Sequence, residues 1–139
     1  MTLTVVPRVC LAIGVIAAAL VVAGCGGSES PEHVVRAWSK ALNSGDKEAA
    51  GALFATNAKF VAGDYIEILR TRKQAVALNA GLGWCGPIVK LAAKGGDVTA
   101  RFALATRGPA PCDRRGGERG SVFFQIRDGK IVLFDQIGA

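Results

Sequence analysis

Few side chains in this sequence can do chemistry, and they are scattered along it. Four are thiols: Cys10, Cys25, Cys85 and Cys112. No two form a CxxC pair, which argues against dithiol redox exchange, and the single histidine, His33, is too little for a zinc site. No metal and no cofactor is therefore expected. Asp64, Tyr65 and Gln136 are the first residues to consider for acid–base work. Arg114, Arg115 and Arg119 gather near Cys112 and have the chemistry to grip a phosphate, although charge in a loop is ordinarily just solvated. GLGWCG, residues 81–86, has the GxGxxG spacing, but it follows a helical pattern instead of a strand and runs into Pro87. It reads as a loop.

Cys25 takes its meaning from what precedes it. Arg8 is followed by an uncharged apolar run from Val9 to Val22. That run suits the roughly 7–15 residues of a signal-peptide core and falls short of the roughly 20 that a membrane span needs. Val22, Ala23, Gly24 and Cys25 resemble the lipobox of bacterial lipoproteins, in which the cysteine sulfur receives a diacylglycerol and the chain is cut just before it. The residue types suit that chemistry, since small side chains admit a peptidase and only cysteine can become a thioether. The resemblance implies residues 1–24 as signal, a lipidated Cys25 with a short tether to residue 30, and a folded domain over 31–139. It also implies a partner, the membrane, and an address: the cell envelope, anchored to the outer face of a membrane. Several acyl chains hold a protein stably where one binds marginally.

With the signal removed, about 115 residues remain, enough for one small domain. Loss of Arg8 lowers the formal net charge of +6 by one, leaving a moderately basic exterior. Basic and aromatic residues do not interleave, and the compartment is wrong, so nucleic acid is not expected as a partner. Cys10 departs with the signal and Cys25 carries lipid. Cys85 and Cys112 are left as an even pair in an exported domain, which predicts a disulfide. Closing a loop of that length stabilises by roughly 3–4 kcal/mol in the chain-entropy account.

The elements that must position any site follow from periodicity and caps. Ser30, Pro31 and Glu32 form a helix start, with Val34, Trp38, Ala41 and Leu42 on one face and Gly45 as the stop. Asp46 caps a second, short helix carrying Ala49, Ala50, Leu53 and Phe54. Ala58–Ala62 reads as a strand, and Gly63–Asp64 turn into a second strand, YIEIL, residues 65–69. A third helix starts at Thr71 and ends before Gly81. Alternating segments follow: IVKLAA, VTARFALATR, GSVFFQI and KIVLFDQI, with KGGD and RDG turns inside two hairpins. Two helices, two strands, a helix and four strands predict an α+β domain with helices on one face of a curved antiparallel sheet.

Two end signatures carry a resemblance. VVRAWSKALNSGDKEAAGALFATNAKFV at the start and RDGKIVLF at the end are similar to the nuclear transport factor 2-like superfamily, which includes the SnoaL-like polyketide cyclases and the steroid isomerases. The likeness spans about residues 32–137. It implies a cone whose sheet curls around three helices and encloses a pocket. It also implies where steroid isomerases keep their chemistry: a tyrosine donor on the first helix, an aspartate base on the first strand and a protonated aspartate on a later strand. Those roles fall on Trp38, Ala62 and Val122. Alanine and valine move no proton, which speaks against isomerase chemistry there. Asp64 lies two residues beyond the base position.

The pocket wall implied by the resemblance is Trp38, Phe60, Val122, Phe124, Phe134 and Gln136. Trp38 and Phe124 fit a filled core as well as a pocket wall. Gln136 is the most telling, because an amide on an inner face needs partners, and a ligand is one. Three functions stay open: a tethered module binding a small hydrophobic molecule, an enzyme of SnoaL-like type with rearranged acid and base, and an accessory protein that dimerises or docks through its open sheet face. The balance tilts away from an enzyme.

Overall fold

The computed structural model describes residues 29–107, 112 and 117–138. Cys25, the signal segment, Arg114 and Arg115 lie outside the described residues. Among those described, no helix is long and apolar enough to cross a membrane.

Helix α1, Pro31–Ser44, begins where the Ser30 hydroxyl accepts from the His33 N–H at 3.2 Å and ends at Gly45, whose φ of 77° is the left-handed conformation a stop requires. Its Val34, Val35, Trp38, Ala41 and Leu42 are buried. Helix α2, Lys47–Ala52, is capped by Asp46, which accepts from the Ala49 N–H at 2.9 Å. Strand β1, Phe54–Ala62, starts earlier than the alternation predicts, and Phe54 belongs to it rather than to the helix. The cause is a register shift between Phe54 and Lys59, near Asn57 with its φ of 64°. A bulge breaks period 2, so the first half of the strand carries no alternating signal.

Strand β2, Tyr65–Leu69, and helix α3, Arg72–Gly81, follow as expected, α3 opening with a reciprocal capping box between Thr71 and Gln74. Trp84–Cys85, inside the expected loop, forms a two-residue strand, β3. Strands β4 (Ile88–Lys94), β5 (Asp97–Thr106), β6 (Glu118–Arg127) and β7 (Lys130–Gln136) complete the chain.

The strand order is β2-β1-β7-β6-β5-β3, with β4 also paired to β5. The expectation of a purely antiparallel sheet is corrected here, because β1 and β7 run parallel. Turns direct the two hairpins at the ends of the chain, but nothing local directs β1 relative to β7. Their pairing is set by helices α1 and α2 packing inside the curl, and the Ile131 N–H donating to the Leu53 carbonyl at 2.8 Å starts it. The result is a curled mixed sheet, a half-barrel closed by three helices.

The interior is aromatic. Trp38 is fully buried, and its ring meets Phe134 at 5.1 Å, Phe124 at 5.4 Å, Phe102 at 6.1 Å and Trp84 at 6.1 Å, all near edge-to-face. The Cys85–Cys112 disulfide is present, with Cα atoms 5.9 Å apart. The Asn43 amide braces the same corner: its Nδ2 donates to the Gly86 carbonyl at 3.0 Å and its Oδ1 accepts from the Gly86 N–H at 2.8 Å. A Cβ at Gly86 would collide with the Ala103 carbonyl oxygen, so only glycine lets β3 lie this close to β5.

Candidate functional site

Cross-strand register brings distant residues into rows on the inner face. One row runs Tyr65, Ala62, Gln136, Val122, Ala100 across β2, β1, β7, β6 and β5. The next, deeper in the cone, runs Glu67, Phe60, Phe134, Phe124, Val98. In the deeper row Phe60, Phe134, Phe124 and Val98 are buried around Trp38, and Glu67 at its edge is half-buried. The outer row opens onto a cleft of about 260 Å³ lined by Ala62, Gly63, Trp84, Leu104, Gly120, Ser121, Val122, Gln136 and Gly138.

The six residues expected to form a pocket wall therefore divide. Val122 and Gln136 line the cleft. Trp38, Phe60, Phe124 and Phe134 are buried in the core beneath it, where α1 drives Trp38 into the centre of the cone and the rings fill the space. Trp84, Leu104, Gly120 and Gly138 line the cleft without having been singled out. Trp84 was hidden in a segment that reads as a loop, and Gly120 shows itself only as an absent side chain opposite Phe102.

The two strand positions at which the family resemblance places isomerase carboxylates, Ala62 and Val122, do converge: each is the register partner of Gln136, on either side of it. The third position is structural. Trp38 Nε1–H donates to Asn79 Oδ1 at 2.8 Å, and Asn79 Nδ2 donates to the Ala75 carbonyl at 2.8 Å, all within the core. A buried indole N–H needs such an acceptor. The sequence held a signal for this pair, an asparagine one helical turn after buried Ala75, on the apolar face of α3. The C-terminal end of that helix is held by Arg107, whose Nη1 donates to the carbonyls of Asn79 and Leu82.

The other acid–base candidates sit at the rim. Asp64 is exposed in the β1–β2 turn, outside the strand. Tyr65 is 57% exposed, and its hydroxyl donates to Glu67 Oε2 at 3.0 Å. That hydrogen bond, with the carboxylate's charge, raises the phenol above its ordinary range. The pair keeps the phenol a neutral donor, already engaged by Glu67. Among the described residues, no group of three His, Cys, Asp or Glu is placed to hold a metal ion.

The model of the SnoaL-like domain matches residues 35–134. The chain belongs to the SnoaL-like family. Its fold is shared with a nuclear transport factor 2-like protein of unknown function from Cytophaga hutchinsonii, 14% identical, with a TM-score of 0.63 over 81% of this chain and 93% of that one. A candidate polyketide cyclase from Sinorhizobium meliloti is 17% identical, with a TM-score of 0.58 over 74% and 92% of the two chains. A protein of ketosteroid isomerase-like fold from Catenulispora acidiphila, in complex with trimethylamine, is 20% identical, with a TM-score of 0.57 over 76% and 85%. At such identities the likeness is one of fold. No curated protein matches the sequence significantly. Within this SnoaL-like domain, the row Ala62–Gln136–Val122 presents one amide between two hydrocarbon side chains.

Proposed function

We propose that this chain is a bacterial envelope lipoprotein, tethered through Cys25, whose SnoaL-like domain binds a small apolar molecule in the cleft at the mouth of the cone. The observation that carries the binding reading is the row Ala62–Gln136–Val122. It lies at the cleft, where the fold's isomerases do their proton chemistry, and offers hydrogen bonding without a group that exchanges protons at neutral pH. Half-buried Gln136 orients one polar end of the ligand; Trp84, Leu104 and Val122 exclude water from the rest.

The volume limits the ligand. About 260 Å³ lies just below the roughly 300–1,000 Å³ of drug-sized sites and above the roughly 150 Å³ that admits a benzene ring. One or two rings fit. Burial of about 200 Å² of such a ligand contributes about 5 kcal/mol before the costs of association, which by itself corresponds to a Kd of about 0.2 mM and sets the tightest binding expected from area alone.

Calorimetric titration with naphthol and naphthalene tests this. Val122→Trp fills the cleft and is expected to abolish both interactions while circular dichroism stays native. Gln136→Leu is expected to erase the preference for naphthol and leave naphthalene affinity nearly unchanged. Binding of neither probe to the wild type, or full binding to folded Val122→Trp protein, would reject the cleft as the site. For the anchor, the wild type is expected to enter the detergent phase, and Cys25→Ala to block lipidation and leave the precursor uncleaved. Intact-mass measurement finding wild-type Cys25 unmodified in a chain that begins at Met1 would remove the lipoprotein reading.

A further inference from the structure

Trp84 and Leu104 line not one hollow but two. Beyond them, where β5 ends and β6 begins, lies a second cleft of about 430 Å³ whose wall includes the exposed Thr106 and Glu118. The two clefts are successive stations along one ribbon. Side chains alternate with period 2, and the register pairs Ala100 with Val122, Phe102 with Gly120, Leu104 with Glu118 and Trp84 with Thr106. All eight positions therefore lie on one face of the ribbon, which is buried at Ala100, Phe102 and Val122 and exposed at Thr106 and Glu118. From Ala100 to Thr106 the strand rises roughly 20 Å, at about 3.3 Å per residue.

What separates the clefts is side chain and not backbone. Trp84 and Leu104 are both half-buried. Gly120 lines the first cleft beside Leu104, and a Cβ there would come within 2.7 Å of Leu104 Cδ1. Leu104 thus leans into the room that the missing side chain provides, and a change of its rotamer opens the path; such changes are fast for partly exposed residues. The backbone of β3 is pinned by the Cys85–Cys112 bridge and by the Arg107 N–H, which donates to the Gly83 carbonyl at 3.2 Å. The Trp84 ring can yield while the strand stays in place.

We propose that the two clefts act as one groove, gated by Leu104 and Trp84, and that it takes a single-chain amphiphile whose hydrogen-bond-donating end, an amine or an alcohol, lies at Thr106 and Glu118. The hydrocarbon chain runs past Gly120 to the Gln136 row. Glu118 supplies an acceptor and a negative charge at the far end, so the groove selects against fatty carboxylates of equal length. This inference rests on the binding reading above and extends it.

The test uses the folded domain and a series of straight-chain amines from hexylamine to dodecylamine, with dodecanol and dodecanoate, measured by calorimetry beside naphthol. In the wild type, affinity is expected to rise by up to about fourfold per added methylene across the whole series. Dodecylamine is expected to bind about threefold to tenfold more tightly than dodecanoate, and Glu118→Gln to remove that preference. Thr106→Trp, which fills the second cleft from a wall that the first does not share, is expected to stop the rise partway through the series without loss of naphthol binding. Should that variant fail to fold, Thr106→Phe makes the same block. A rise that stops partway in the wild type, with naphthol bound, would overturn the groove and leave the single cleft. Equal binding of amine and carboxylate would overturn the assignment of its polar end. Loss of naphthol binding as well would remove the binding reading itself.

Discussion

Replacing Asn79 by leucine tests whether the first-helix position that serves isomerase chemistry elsewhere in this fold has become a structural tie here. Asn79 and Trp38 are both fully buried, and the Trp38 Nε1–H donates to Asn79 Oδ1 at 2.8 Å. Leucine is nearly isosteric with asparagine, so little cavity is created, but the indole N–H is left without an acceptor in the core. An unpaired buried donor costs about 1–3 kcal/mol. Loss of the bond from Asn79 Nδ2 to the Ala75 carbonyl is partly offset, because that carbonyl is also inside a helix and leucine removes the donor rather than stranding it. The net expectation is a destabilisation of about 1–3 kcal/mol, read as a lower urea midpoint at unchanged slope, or as a fall in Tm of roughly 4 °C or more per kcal/mol for a domain near 100 residues. The companion variant Trp38→Phe removes the donor, so Trp38→Phe/Asn79→Leu is expected to be less destabilised than the sum of its parts by about 1 kcal/mol or more. A double-mutant cycle that closes additively within 0.3–0.5 kcal/mol would refute the tie.

Two further expectations concern the loops and the rim. Replacing Cys85 and Cys112 together by serine opens a bridge between residues 27 apart and is expected to cost about 3–4 kcal/mol, with both thiols unreactive to alkylation in unreduced folded protein; free labelling of both would contradict it. Tyr65 is the single tyrosine, so its ionisation can be followed in the ultraviolet without interference. Glu67 raises its pKa, and a phenol raised in the folded state holds its proton beyond the unfolded value, so any stability it lends is present below that value and lost as pH rises through the folded one. Glu67→Gln is expected to bring the midpoint down toward the ordinary value of about 10. An unmoved midpoint would show that the hydrogen bond to Glu67 does not persist in solution.

Where a signal is contained within a few residues, the chain declares it. Ser30, Asp46 and Thr71 each cap the helix that the sequence leads one to expect, because a cap joins a side chain to a backbone N–H only a few positions on. The KGGD and RDG turns place β4 to β7 for the same reason, and the paired thiols Cys85 and Cys112 stand out by elimination among four. Strand β1 is half legible: its regular end alternates and its bulged start does not. The candidate site is legible only in part. Val122 and Gln136 could be named through the family likeness, whereas Trp84 and Gly120 acquire their roles from partners on other strands.

The sequence by itself therefore determined the helices, the hairpins, the disulfide pair and the apolar character of the inner face, all of which follow from short-range spacing or from residue type. Tertiary structure alone decided that β1 and β7 lie parallel, that Trp38 finds its acceptor 41 residues away at Asn79, and that the rings of Phe60, Phe124 and Phe134 fill the cone while the space remains beside Trp84 and Gln136. Local preferences act over a turn of helix or a pair of strand residues. Where empty volume remains is set by how every side chain in the core packs at once, and no short stretch of sequence carries that information.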